Sequence, residues 1–549
     1  MTAPLARAIA LHRAGQYAAA LTAYQDLLAT EPDNADALHL TGVLAHQMGR
    51  TSTGIAFIER AIALNPAAAM FHRNMAELRT AAGDHAKAAE HLARAITLNP
   101  RDAAAHAALG TARAACGDPQ GAVFAYRAAL AIDPTLVPAL NNLGLALQDI
   151  DDPDGACAAW HSAIAIDPHF APALNNLGTA LWSDERLDAA IEVLQRAVAA
   201  DPNNAEAAVN LGQLLLNRGD LSEGWRLLEA RRQVRHGFAA PHGIREWTGP
   251  GDPCGRLLVC AEQGLGDELM FASCLSDLQA AQPRTTLVVE CDPRLGALFA
   301  RSLPGCEIRP YQLTADRRRA NRRDWLTHTA IDAFVPAGTL PLWFRSSPAD
   351  FPREAGYLTA DPGRVAHWRN WLDGITDGGR ARSVGLCWRS GIGGGHRDSL
   401  VVPLADWAPL LTDPAFAVVN LQYGAGGPAL VSHADALGTP VHQPPGLDLM
   451  DALDDVAALV AALDTVVSAA TSVCEIAGAL GRPTVRVVRG VDWSMLGQQG
   501  RRPWHPNTTT HAASRHTPAS ELVQKVLTTI SSDFFEIVEQ PTNPKHGKS

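Results

Sequence analysis

The sequence has no pair of cysteines at CxxC spacing. Its nine cysteines stand at 116, 157, 254, 260, 274, 291, 306, 387 and 474, and none has a histidine at ligand spacing. That pattern argues against a structural metal, and an odd count without a disulfide-like framework fits a reducing compartment. A long hydrophobic run is also missing. The longest apolar-rich stretch, 456–473, contains Asp464 and several small polar residues, so it does not qualify as a membrane span. Arg7, His12 and Arg13 interrupt any apolar core at the N-terminus, which therefore does not read as a signal peptide. Nor is there a basic excess: 46 Lys and Arg against 57 Asp and Glu give a net charge of -11, which argues against a general nucleic-acid binder. No GxxxxGK[ST] phosphate loop occurs, and the GxGD turn at 264–267 is not the GxGxxG dinucleotide fingerprint. What remains is a cytoplasmic chain of 549 residues, long enough for two or three domains, with no metal or cofactor signature.

What is present is a repeat. Proline recurs at 32, 66, 100, 134, 168 and 202, a period of 34 at every step, always after an acidic residue or asparagine. Two further ladders share the register. Gly42, Ala76, Gly110, Gly144, Gly178 and Gly212 fall where two helices must pack closely. Gly15, Gly49, Gly83, Gly117, Asp151, Glu185 and Gly219 fall at the turn between them, where a left-handed cap is needed. Proline closes each unit because it cannot continue the preceding helix yet suits the start of the next. Residues 1–236 thus resemble the tetratricopeptide-repeat (TPR) family, in about seven units that stack into an α superhelix. Two positions before the small-residue ladder stand Asn74, Asn142, Asn176 and Asn210, while Leu40 and Ala108 break the row. Carboxamides in register can hold an extended peptide, and the row resembles the asparagine ladder of the O-linked N-acetylglucosamine transferases. The alternative is that these asparagines cap or bridge neighbouring hairpins.

The Gly/Pro-rich segment 237–255 reads as a linker. Beyond it, strand, glycine turn and helix alternate in two Rossmann-like halves, 256–380 and 381–530, before a tail at 531–549 that reads as disordered. Expected strands lie at 256–261, 286–290, 331–335, 383–388, 416–423, 465–468 and 484–488. The combination Glu262-Gln263-Gly264-Leu265-Gly266-Asp267, Ser468-x-x-Thr471-Ser472 and Ala477-Gly478-Ala479-Leu480-Gly481-x-Pro483 resembles glycosyltransferase family 9, of GT-B fold, which includes the lipopolysaccharide heptosyltransferases. Cys387 to Gly391, Asn420 to Gly424, Pro445 to Leu449 and Trp493 to Gly497 resemble TPR-linked bacterial transferases that modify flagellin with nonulosonic acids.

The resemblance implies a metal-independent protein O-glycosyltransferase. Its donor would be a nucleotide sugar such as a CMP-nonulosonic acid, and its acceptor a protein such as flagellin held by the repeat array. Without a metal, the leaving phosphate must be met by cations and helix amides. Arg389, Arg397, Ser468, Thr471 and Ser472 are the donor-binding candidates. The two arginines read otherwise as solvated loop charges, and Ser472 with Glu475 as a helix capping box. Asp267 matches the family's GD motif and is the candidate general base, its alternative being a helix N-cap. Glu262, Gln263, Gly264, Gly266 and His396 are further candidates for sugar or acceptor contacts. Two other functions fit the sequence: a non-catalytic adaptor with a degenerate GT-B domain, and a heptosyltransferase of the lipopolysaccharide type.

Overall fold

The computed structural model describes residues 2–234, 238–314, 323–390 and 401–532. It divides into two compact units, Met1–Leu181 with Glu192–Asn204, and Trp182–Ile191 with Ala205–Ser549.

The first unit is built of helical hairpins, from Ala3–Arg13 paired with Tyr17–Thr30 to Val137–Asp149 paired with Pro153–Ile166. All seven turn-ladder residues have positive φ, including Asp151 at 62° and Glu185 at 59°, so two units make the left-handed turn without glycine. Asp151→Gly should therefore stabilise its hairpin by roughly 0.5–1 kcal/mol, read as a rise in the urea midpoint. The small-residue ladder has an equally direct cause. A Cβ on Gly42 would lie 2.5 Å from Ile58, and one on Gly110 would lie 2.6 Å from the buried Tyr126 ring. Adding that methyl, in Gly110→Ala, should destabilise by about 1–3 kcal/mol in the same measurement, because the two helices must separate.

In the second unit the last hairpin, Ala205–Arg218 and Leu221–Leu228, joins the α/β part rather than the repeats before it. The compact units thus divide before this hairpin, although the repeat pattern expected from the sequence runs on to 236. The reason is apolar: Leu216, Leu221, Trp225 and Leu228 belong to the same core cluster as strand residues Leu257, Val259 and Val289. Trp225 and Trp504 meet edge to face at 6.0 Å, and Phe351 stands perpendicular to Trp504 at 5.0 Å.

Two sheets follow. The first contains β1 (Arg245–Glu246), β2 (Arg256–Cys260), β3 (Thr286–Cys291), β4 (Cys306–Pro310) and β5 (Ala333–Pro336), all parallel, in the order β1-β5-β2-β3-β4. The segment 237–255 is thus more than a linker, since it supplies β1 and the buried Trp247. The second sheet contains β6 (Arg382–Cys387), β7 (Phe416–Asn420), β8 (Thr465–Ala469), β9 (Thr484–Arg489), β10 (Arg501–Arg502) and β11 (His505–Ala513). Its order is β10-β11-β9-β8-β6-β7, parallel except for β10. The chain order therefore reverses between β2 and β5 in one sheet and between β6 and β8 in the other. In open α/β sheets such reversals leave a crevice at the carboxyl ends of the strands. Nearly continuous apolar strands such as Leu257-Leu258-Val259-Cys260 are what a sheet covered on both faces requires.

Candidate functional site

A cavity of about 580 Å³ opens at those carboxyl ends. Its lining comes from the turn after β2 (Gly264, Leu265, Gly266, Asp267), Ser390 after β6, Tyr423 after β7, Thr471 and Ser472 after β8, and the end of β9 with the loop beyond it (Arg486, Arg489, Asp492, Trp493). Glu475 and Arg502 complete it.

Two helices begin at its wall. Gly264 is the N-cap of helix Leu265–Ala272, and its amide donates to Asp267 Oδ2 at 3.1 Å. Thr471 is the N-cap of helix Ser472–Ala479, with no side-chain cap. The capping box expected between Ser472 and Glu475 does not form, because Glu475 is bonded elsewhere and the Thr471 hydroxyl bonds Ser468 Oγ at 3.0 Å. Helix N-termini present unpaired amides and the positive end of the helix dipole, which suits an anion.

Charge around the cavity is arranged in pairs. Glu475 Oε2 accepts from Arg502 Nη1 at 2.5 Å and lies 2.9 Å from His505 Nε2. Burial alone would raise the Glu475 pKa, but Arg502 and His505 outweigh it and hold the carboxyl at about 2. Arg486 is paired with Asp492. Arg486 and Arg502 are 3% and 2% exposed, and the Nε of each has no acceptor. Two buried guanidinium donors thus remain unpaired on residues that line the cavity.

Asp267 sits among these groups, partly exposed to the cavity. Burial pushes its pKa up to about 6, opposed by the Gly264 amide and reinforced by the neighbouring charges of Glu475 and Glu262. Such a carboxylate is largely ionised at neutral pH yet basic enough to accept a proton, the property a general base needs.

The other expected residues divide. Gly264, Gly266, Thr471 and Ser472 line the cavity with Asp267. Ser468 is fully buried below it, holding Thr471. Arg389 does not line it; its guanidinium lies 5.5 Å from the Trp388 ring centroid and its amide donates to Gln422 Oε1 at 3.0 Å, which leaves Ser390 on the wall. Glu262 is also off the wall, because it accepts from both Arg231 Nε at 3.0 Å and Gly338 N at 2.6 Å, a buried structural role. Gln263 is exposed, in a left-handed turn at φ 60°. His396 and Arg397 lie outside the described residues, as does the expected tail from 533 onward. Sequence reasoning missed Arg486, Arg489, Asp492 and Arg502, since each stands in or beside a strand of the second sheet and none belongs to a motif that marks it.

In the repeat array, Asn74 Nδ2 lies 2.9 Å from His39 Nε2, and Asn176 Nδ2 donates at 2.9 Å to the Asn141 carboxamide, which in turn donates to Asn142 Oδ1 at 3.1 Å. The first two of these bonds bridge neighbouring hairpins, while Asn74, Asn142 and Asn176 stay half-buried. Asn210 belongs to the second unit and is also half-buried. Among the described residues no helix is long and apolar enough to cross a membrane, and no three His, Cys, Asp or Glu side chains are grouped to hold a metal ion.

Tetratricopeptide-repeat family models match residues 5–69, 73–136, 141–205 and 181–243, so the helical array is a TPR array. The chain is 34% identical over 307 residues to Protein FlbA of Caulobacter vibrioides, covering 54% of this chain and 50% of that protein. It thus spans about half the length of the curated relative it matches. Solved structures similar to the chain include MamA, 22% identical with a TM-score of 0.29, covering 30% of this chain and 96% of MamA. Another is YrrB, described as a TPR protein with an unusual peptide-binding site, 18% identical with a TM-score of 0.30, covering 34% of this chain and 95% of YrrB.

Proposed function

We propose that the chain is a protein O-glycosyltransferase of GT-B type, using a nucleotide-sugar donor. The observation that carries this is the convergence on one cavity of Asp267, two helix N-termini and the buried arginines 486 and 502. In the reaction the acceptor Ser or Thr oxygen attacks the anomeric carbon. The bond from that carbon to the donor phosphate breaks, and its electron pair leaves with the nucleotide. Asp267 takes the hydroxyl proton. The amides of Leu265 and Gly266 and those at Thr471–Ser472 meet the charge that grows on the phosphate, assisted by the Nε donors of Arg486 and Arg502.

The half-buried asparagines of the array supply contacts for an extended acceptor segment, in addition to their bridging bonds. The sequence resemblance supports flagellin as that acceptor and a CMP-nonulosonic acid as the donor. Calorimetry discriminates this from the adaptor reading. A nucleotide sugar should bind the full chain with a Kd in the micromolar range, and Arg502→Gln should weaken that binding at least tenfold. No heat at millimolar donor favours the adaptor.

A further inference from the structure

A second cavity, of about 530 Å³, is enclosed by helix Ala205–Arg218, the loop 490–500, β11 and helix Ala519–Ser531. It shares Val491 and Asp492 with the first cavity but none of Asp267, Thr471 or Arg502. Its chemistry is one-sided. The one carboxylate among its lining residues, Asp492, is already paired with Arg486. The Lys525 ammonium is exposed on its wall, and no carboxylate among the described residues pairs with it. Its charge reaches His511, another lining residue, and adds to burial in keeping that imidazole neutral.

Three of the remaining polar side chains are neutral and have bonding capacity to spare. The side chains of Gln498 and Gln499 bond to no described residue, and the Thr510 hydroxyl is buried without a partner, although Thr510 is only 4% exposed. Buried hydroxyls normally find a partner, so an unsatisfied one beside a cavity points to a ligand or water there. The volume falls within the usual range of ligand pockets, roughly 300–1,000 Å³.

We infer that this cavity is a second ligand site, for a polar hydroxyl-bearing molecule with one carboxylate or phosphate, such as a sugar acid or sugar phosphate. Lys525 meets the anion, and the glutamines with Thr510 meet the hydroxyls. The loop 490–500 is tied to the helix wall of the same cavity: Asn217 Nδ2 donates to the Asp492 carbonyl at 2.9 Å, and Gly497 packs against Gly219. A ligand here therefore touches the segment whose Asp492 fixes Arg486 in the first cavity. The assignment does not depend on the transfer chemistry.

Methyl NMR of the methionine-labelled full chain tests it, since Met495 lines the second cavity and Met270 the first. Glucuronate and glucose 6-phosphate are the probes, with neutral glucose as control. The expected result is a saturable shift of Met495 with at least one anionic sugar and none with glucose, and the anion that acts identifies the preferred group. The shift should persist in Asp267→Asn, need at least tenfold more ligand in Lys525→Ala, and return in Lys525→Arg. Three outcomes overturn the inference: Met495 unmoved by both anions, moved equally by glucose, or moved with unchanged affinity in Lys525→Ala.

Discussion

Asp267→Asn is expected to lower sugar transfer by about 10²–10⁴-fold while leaving donor binding within a few-fold of wild type. The substitution keeps the side chain's shape and its capacity to accept from the Gly264 amide, so the turn is preserved. What it removes is the carboxylate that takes the acceptor's proton. The pH profile should move with it. In the wild type kcat/KM should fall as pH drops through about 6, where burial has placed the Asp267 pKa, and the residual rate of the variant should lack that limb.

A stability change of opposite sign should accompany the loss. A carboxyl whose folded pKa lies above its unfolded value destabilises the fold once pH rises past the unfolded value, with the full cost above about 6. The variant escapes that cost. With allowance for the partial exposure of the group, it should be more stable than wild type at pH 7.5 by on the order of 1–2 kcal/mol. A variant that is inactive because it is misfolded would show the reverse.

Glu475→Gln should act the other way, costing about 3–5 kcal/mol, because it leaves Arg502 buried without the carboxylate bonded to it. The Glu475 pKa is depressed, to about 2. Its contribution is therefore complete above the unfolded value near 4.5 and disappears as pH falls toward 2. Chemical denaturation at pH 7.5 and pH 3 checks both statements: the gap between variant and wild type should be large at the first and shrink at the second. An equal gap at both would mean that packing, not charge, holds this pair.

The repeats were legible residue by residue because each depends on one local constraint. A 34-residue period, a left-handed turn and a close helix approach are each met by a particular residue type, and Asp151 and Glu185 could be placed at positive φ from register alone. The central strands of the α/β part were legible as apolar runs. β4 was not, since Cys306–Pro310 is half-buried and carries Glu307 and Arg309. β11 was not either, because its Thr-rich, His-flanked stretch, 505–513, has no apolar face to mark it. At the site, the turn at 264–267 and the helix start at 471–472 were visible as glycine and hydroxyl motifs. The acids and arginines that set the electrostatics were not. Glu475, Arg486, Asp492 and Arg502 acquire meaning only as partners, and pairing across 27 residues leaves no periodic trace. Glu262 shows the converse error: a motif residue drawn away from the cavity by Arg231, which stands 31 positions earlier.

Sugar transfer to a protein hydroxyl adds a defined mass to the acceptor, which glycopeptide mass spectrometry reads without an intermediary. Purified chain and a CMP-nonulosonic acid would be added to lysate from cells lacking this protein, with flagellin examined first and every other protein after it. The expected result is a gain of one nonulosonic acid residue per modified Ser or Thr, absent when Asp267→Asn replaces the wild type. No gain on any protein, or an equal gain with Asp267→Asn, would contradict it.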